Sequence, residues 1–292
     1  METYKLACTG EQLDNALAGR IITEEITVTE NGVYIPREDV DGISKVTVDV
    51  QPPLEEIVVT RSGEYTPSDG AYGFSRVTAS FEGEWTTIVL AAGTEPSGEV
   101  VIDGITVNAG FFNGNQAMTK LKATNCVFKN TVQNCAALTE AEINGTVSVD
   151  YLFQDCKALQ KVKYNSGGTY GGQFNRCTNL EFGDFGPDFW YIGVYFATNA
   201  ANLKTMVLRR QEKIVDFANA QGLNGTPFAT DGTGGTVYVP AALIPEYQAA
   251  TNWSALYAAG TCVFKALEDY TVDGTTTGEI DWAKIEAEEA AE

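Results

Sequence analysis

The sequence predicts a mainly β protein in which a solenoid of about five coils follows two small tandem β modules. Three observations carry that expectation. A unit of 31 residues occurs twice between 21 and 83, a different unit recurs about every 21 residues between 112 and 203, and charge divides the chain at the same places. Of the net charge of −20, residues 21–83 hold 12 acids against 4 bases and 268–292 hold 9 against 1, whereas 111–267 hold 11 against 12. A near-neutral stretch between acidic ones reads as a separate domain with its own surface.

Residues 1–20 form a candidate helical attachment segment, with Thr9 as N-cap, Glu11 to Ala18 as the helical run and Gly19 as the stop. In the first repeat, Ile26, Gly32, Tyr34, Pro36, Gly42, Ser44 and Val46 return 31 residues later as Ile57, Gly63, Tyr65, Pro67, Gly73, Ser75 and Val77. Each copy reads as a strand, a turn at Asn31-Gly32 or Ser62-Gly63, a short strand broken by proline, a loop and an alternating strand. Residues 84–110 read as a β connector to the next domain.

The second repeat organises 111–267. Val132-x-x-Cys135-x-x-Leu138, Phe153-x-x-Cys156-x-x-Leu159 and Phe174-x-x-Cys177-x-x-Leu180 follow one another at steps of 21 residues, with degenerate ends at Phe112-x-x-Asn115-x-x-Met118 and Ala197-x-x-Ala200-x-x-Leu203. After each anchor comes a pair of core positions two apart: Leu121/Ala123, Ala141/Ile143, Val162/Tyr164, Gly183/Phe185 and Met206/Leu208. This is leucine-rich-repeat spacing, one short strand and one turn per coil. A coil of that size cannot bury its apolar face alone, so the period implies stacking. Cys135, Cys156 and Cys177 then form a buried column, and Lys122, Glu142, Lys163, Asp184 and Lys120, Glu140, Lys161, Phe182 form two outward columns of alternating charge up to Phe182. Such a ladder helps to fix register.

An open solenoid end needs a cap. Val237-Tyr-Val-Pro240 reads as a closing strand, Pro240 to Ala250 as a short helix, and Trp253 as the ring that covers the last coil. Residues 268–292 read as an acidic linker and a terminal helix from Asp281, a candidate docking element.

Composition narrows function. The chain contains no histidine, which removes Ser-His-Asp and Cys-His catalysis and histidine-based metal motifs. The charge of −20 repels phosphate backbones and anionic lipid, so nucleic acid is not an expected partner. No apolar run approaches the roughly 18 residues of a membrane span, and the amino terminus lacks the charged and apolar regions of an export signal. The six cysteines include no CxxC pair and are expected as free thiols. No catalytic residue, metal ligand or cofactor is assigned.

The Phe-x-x-Cys-x-x-Leu coils resemble BspA-like leucine-rich repeats, as does the ending Val237-Tyr-Val-Pro-x-x-Leu243-Ile-x-x-Tyr247-x-x-Ala250-Thr-Asn-Trp253-Ser. The resemblance covers about 112–270 and implies surface adhesion. The 31-residue units, with Thr29-Glu-Asn-Gly32-x-Tyr34-x-Pro36 and Asp41-Gly42-Ile-Ser44-Lys45-Val-Thr-Val48, are similar to modules of tail and other virion structural proteins of phages infecting Gram-positive gut bacteria, and the opening Tyr4-Lys-Leu-x-Cys8-Thr-Gly-Glu-Gln-Leu-Asp14 resembles the start of such proteins. Together the resemblances imply a non-enzymatic virion protein of tail-fibre, head-fibre or decoration type. It would assemble in the host cytoplasm, join other virion proteins through its amino-terminal region, form a homo-oligomer with a trimer favoured, and display the solenoid to a host-surface glycan or protein.

Two alternatives come from other classes. One is a bacterial cell-surface interaction protein. The other is a glycan-cleaving enzyme using Glu140 and Glu142, since paired carboxylates need no histidine. For binding, Tyr170, Phe182, Trp190 and Tyr191 are the candidate ligand-stacking residues, with packing of Trp190 and Tyr191 between coils or subunits as the competing reading.

Overall fold

The computed structural model describes residues 112–289 except 130, 168–170 and 218, and, before them, the strands between 23 and 107. The first seven strands are β1 (Thr23–Val28), β2 (Val33–Tyr34), β3 (Gly42–Val48), β4 (Ile57–Val59), β5 (Glu64–Pro67), β6 (Arg76–Ala79) and β7 (Thr86–Ile88). They are followed by β8 (Gly98–Asp103), β9 (Ile105–Val107), β10 (Met118–Phe128), β11 (Glu140–Val147), β12 (Lys161–Asn165) and β13 (Phe182–Phe185). The last five are β14 (Tyr191–Ile192), β15 (Thr205–Leu208), β16 (Asp216–Phe217), β17 (Gly235–Val239) and β18 (Cys262–Ala266). Sixteen of these strands make one sheet, and β14 with β16 makes a second. From β10 onward the main sheet winds as a parallel β-solenoid of about five turns.

Ahead of β10 the strands run in two parallel columns, β1, β3, β5, β7, β9 and β2, β4, β6, β8. Both columns meet β10, whose first half pairs with β8 and second half with β9. Three strands fall in each 31-residue unit, β1 to β3 and β4 to β6. Equivalent strands of the two copies therefore lie in opposite columns. The attachment segment at 1–20 lies outside the described residues.

The solenoid follows from alternation. Buried and outward side chains alternate over 120–123 of β10, 140–143 of β11 and 161–164 of β12, which places Leu121 and Ala123, Ala141 and Ile143, and Val162 and Tyr164 on one inner face. The backbone pairs Lys120 with Glu140, Glu140 with Lys161 and Lys161 with Phe182. It also pairs Lys122 with Glu142, Glu142 with Lys163 and Lys163 with Asp184, so the two outward columns are in the expected register. One irregularity interrupts it. At the bulge between Thr124 and Cys126, Asn125 takes φ 53°, and a Cβ on the facing Gly145 would overlap the Cys126 carbonyl oxygen, so this crossing requires glycine.

On the turn side of each coil the three anchors are buried from Phe112, Asn115 and Met118 through to Ala197, Ala200 and Leu203. The cysteines fill more than space. Cys135 Sγ donates to Phe112 O, Cys156 Sγ to Val132 O and Cys177 Sγ to Phe153 O, each at 3.0 Å. Each thiol thus serves a carbonyl that begins the motif of the preceding coil, where water cannot reach. Asn115 ends the column by accepting from Ala117 N at 2.9 Å and Met118 N at 2.6 Å. Backbone bonds stack the turns as well: Phe153 N donates to Gln173 O at 2.8 Å, and Phe174 N to Phe196 O at 2.7 Å. The hydrogen bond with the Cys135 thiol, and then burial, push Cys156 far above an ordinary thiol, burial does the same to Cys177, and it holds Cys262 up to about 12. We expect iodoacetamide to leave Cys135, Cys156 and Cys177 unmodified in the folded protein and to alkylate them in denaturant. Mass spectrometry of the labelled peptides measures both states.

The residue before each anchor cysteine takes a left-handed conformation: Asn134 (φ 58°), Asp155 (61°) and Arg176 (60°), with Gly114 (78°) and Asn199 (62°) at the ends. Asn, Asp and Gly adopt this region readily, whereas an Arg adopts it seldom. Arg176 has a compensating contact, since its guanidinium forks onto the Asp155 carboxylate, with Nε to Oδ1 at 2.8 Å. That guanidinium holds the Asp155 carboxyl below the usual carboxylate range. A lowered folded pKa stabilises above the unfolded value and loses that contribution as pH falls. Asp155→Asn should therefore weaken the dependence of stability on pH below about 4, measured as denaturant midpoints against pH.

Beyond β13 the coils lengthen. Phe182 pairs with Thr205, Thr205 with Thr236, and Thr236 with Val263. The added residues carry β14, β16 and two helices, α1 (Ile244–Ala249) and α2 (Trp253–Ala259). Trp253 is fully buried among Phe217, Tyr247 and Phe264, and its Nε1 donates to Val215 O at 2.9 Å. The strand at Val237 is not the last. The alternation resumes with Cys262 and Phe264 inward, and β18 pairs with β17 after the helices.

The chain then folds back over the outer face of the sheet. Residues 267–289 run through a 3-10 turn (Leu267–Tyr270), a bridge between Thr271 and Ile280, and α3 (Trp282–Glu289), whose start is held by Asp281 Oδ1 accepting from Lys284 N at 3.2 Å. The outward columns change from charged to apolar where this strap lands: Phe182, Val207 and Tyr238 form a second small core with Leu267, Tyr270, Ile280 and Ile285. The terminal segment thus docks on its own sheet. Among the described residues no helix is long and apolar enough to cross a membrane.

Candidate functional site: the outer trough

The uncovered part of the outer face, between β8 and the strap, is a shallow trough of about 360 Å³. Its charged floor comes from alternation, because residues 120, 122, 140, 142, 161 and 163 occupy the outward positions of three adjacent strands. Lys120 pairs with Glu140 at 3.0 Å and Lys122 with Glu142 at 3.3 Å, with all four side chains roughly half exposed. The Glu140 contact raises Lys120 above an ordinary lysine. Glu99, from β8, lies at the far end. Lys161 and Lys163 make no ion pair among the described residues, and Lys161 Nζ sits 5.1 Å from the centre of the Trp282 ring.

The strap forms the wall at the other end and is anchored by charge. Asp184, outward but buried, receives a two-pronged contact from Arg209, Nε to Oδ1 at 2.6 Å and Nη2 to Oδ2 at 3.0 Å. Arg209 Nη1 also donates to Thr276 O at 2.7 Å and Gly278 O at 3.0 Å, tying the strap to the sheet. At the other end of α3, Glu288 accepts from Lys265 Nζ at 2.7 Å and from the Tyr270 hydroxyl, and these contacts hold its carboxyl below the usual range. Trp282 leans edge-on against Phe182, ring centres 4.4 Å apart, and keeps 37% of its surface exposed.

The structure separates the four aromatic candidates. Tyr170 lies outside the described residues. Phe182 faces outward, but at 5% exposure it is a floor for Trp282 and not a free stacking surface, because the strap covers it. Trp190 (36% exposed) and the half-buried Tyr191 pack against each other at 5.2 Å beside the small β14–β16 sheet, and neither lines the trough. The accessible aromatic of the trough is Trp282. Its signal in the sequence was indirect: three apolar residues, Phe182, Val207 and Tyr238, at outward positions after two charged columns show that something covers them.

Chemically, the trough offers ammonium donors and carboxylate acceptors in alternate rows beside one indole. Glu140 and Glu142 point the same way from a single strand and are each held by a lysine. They stand as ladder members, not as two carboxylates facing each other across a bond. Among the described residues no cluster of Cys, Asp and Glu is arranged to hold a metal ion. In comparisons with known proteins, the chain matches no family model and no curated protein.

Proposed function

We propose that this chain is a non-enzymatic bacteriophage virion structural protein, of tail-fibre, head-fibre or decoration type, that displays a BspA-like leucine-rich-repeat solenoid for adhesion to the host surface. The observation that carries this reading is the open outer face. The coils present charged side chains in rows beside one indole, with no enclosing cleft over this face among the described residues, which suits contact with a large surface better than turnover of a small substrate. The phage assignment rests on the resemblance of the 31-residue units to virion modules. The amino-terminal region joins the particle, and the chain acts as a homo-oligomer, a trimer by analogy with fibres. Mass spectrometry and immunogold labelling of purified particles test the reading: it requires the protein on the virion, and absence from the virion overturns it.

A further inference from the structure

We infer that the outer trough is a binding site for a neutral oligosaccharide, with Trp282 as its stacking wall and Lys161, Lys163, Glu140 and Glu142 as its hydrogen-bonding floor. This rests on the proposed adhesive role. Three features of the trough select that ligand.

First, donors and acceptors alternate. A sugar hydroxyl both gives and takes a hydrogen bond, so a row of Lys–Glu pairs about 3 Å apart answers a pair of neighbouring hydroxyls, whereas an anion or a cation meets like charge at every second position. Second, the apolar part is one indole at the edge of the charged rows. Trp282 presents apolar surface beside polar groups, an arrangement that suits a molecule with a C–H face and a hydroxyl rim. Third, four lysines and three glutamates line the trough, so opposite charges there come close to balance, and the chain as a whole carries −20, which disfavours an acidic polymer at long range and is indifferent to a neutral one. The volume, about 360 Å³, falls at the lower end of the roughly 300–1,000 Å³ of small-ligand sites. The trough is open at the top, so a longer chain can continue across the strands.

The strap completes the site. Without residues 267–289 the sheet has charged rows but no aromatic wall, and the Arg209 anchor and the Phe182 contact fix where that wall stands.

The test uses the full chain on an array of neutral and carboxylated oligosaccharides, with titration of the best neutral probe, and in parallel measures whether the same protein blocks phage adsorption to host cells. Trp282→Ala is expected to weaken binding of the neutral probe by at least about tenfold. Since that change could loosen the strap, Lys163→Ala and Glu142→Gln are measured too, and each is expected to weaken binding severalfold with an unchanged denaturant midpoint. Neutral-probe binding lost in these variants supports the inference. Binding that persists in all three, binding only to carboxylated probes, or no oligosaccharide binding while adsorption is still blocked overturns it and leaves the adhesive role standing. Failure to block adsorption, with no oligosaccharide bound, overturns both.

Discussion

Trp253→Ala is expected to lower stability by about 3–5 kcal/mol and to unravel the solenoid from its carboxyl-terminal end. The ring is fully buried between Phe217, Tyr247 and Phe264, so its removal leaves a cavity the size of an indole, and the Val215 carbonyl loses its donor. In a stack of coils each turn is stabilised by its neighbours, so damage at the cap spreads inward. Hydrogen exchange measures the spread: protection should fall first in Gly235–Val239 and Cys262–Ala266 and last in Met118–Phe128. Trp190→Ala, at a partly exposed ring, is expected to cost far less, which makes the pair a direct comparison of capping with surface packing.

Arg209→Ala is expected to have an effect of similar size for a different reason. It strands the buried Asp184 carboxylate and cuts the two bonds to Thr276 and Gly278 that hold the strap. Removing one partner of a buried pair costs about 3–5 kcal/mol. The loss should be local, with limited proteolysis opening the 271–281 segment while Met118–Phe128 stays protected. The double variant Arg209→Ala, Asp184→Ala should recover part of the stability, because no charge is then left unpaired. If the double variant is no more stable than the single one, the stranded carboxylate is not the cause.

Period was the legible part of this molecule. Steps of 20 and 21 residues placed Cys135, Cys156 and Cys177 in one column and Lys122, Glu142, Lys163 and Asp184 in another; the backbone pairing agrees residue by residue for the charged column, and the matching thiol-to-carbonyl bonds agree for the cysteines. The left-handed turn positions were also written in the sequence, as Asn134, Asp155 and Asn199 before the anchors. They were hidden by Arg176, whose conformation depends on its contact with Asp155 in the preceding coil. What periodicity could not show is long-range return. The strap meets the sheet across 67 and 69 residues at Arg209, and no local pattern reports a segment that folds back from so far along the chain. For that reason Phe182 read as an exposed aromatic when it is a covered one, and Trp282, the wall of the trough, read only as part of an acidic terminal helix. The closing strand was set one strand too early because two helices interrupt the alternation before Cys262 resumes it.

In the solenoid, side chains one coil apart are neighbours on a single face, and cysteine trapping reads this most directly. Facing positions in adjacent strands fall within the roughly 4.4–6.8 Å Cα separation that a disulfide spans. Lys122→Cys with Glu142→Cys, and Glu142→Cys with Lys163→Cys, should form disulfides readily under mild oxidation. Lys122→Cys with Ile143→Cys, which puts the second thiol on the buried face, should not. Efficient bonding of the 122–143 pair, or no bonding of 122–142 and 142–163, would contradict the register on which the solenoid, the trough and its proposed ligand all rest.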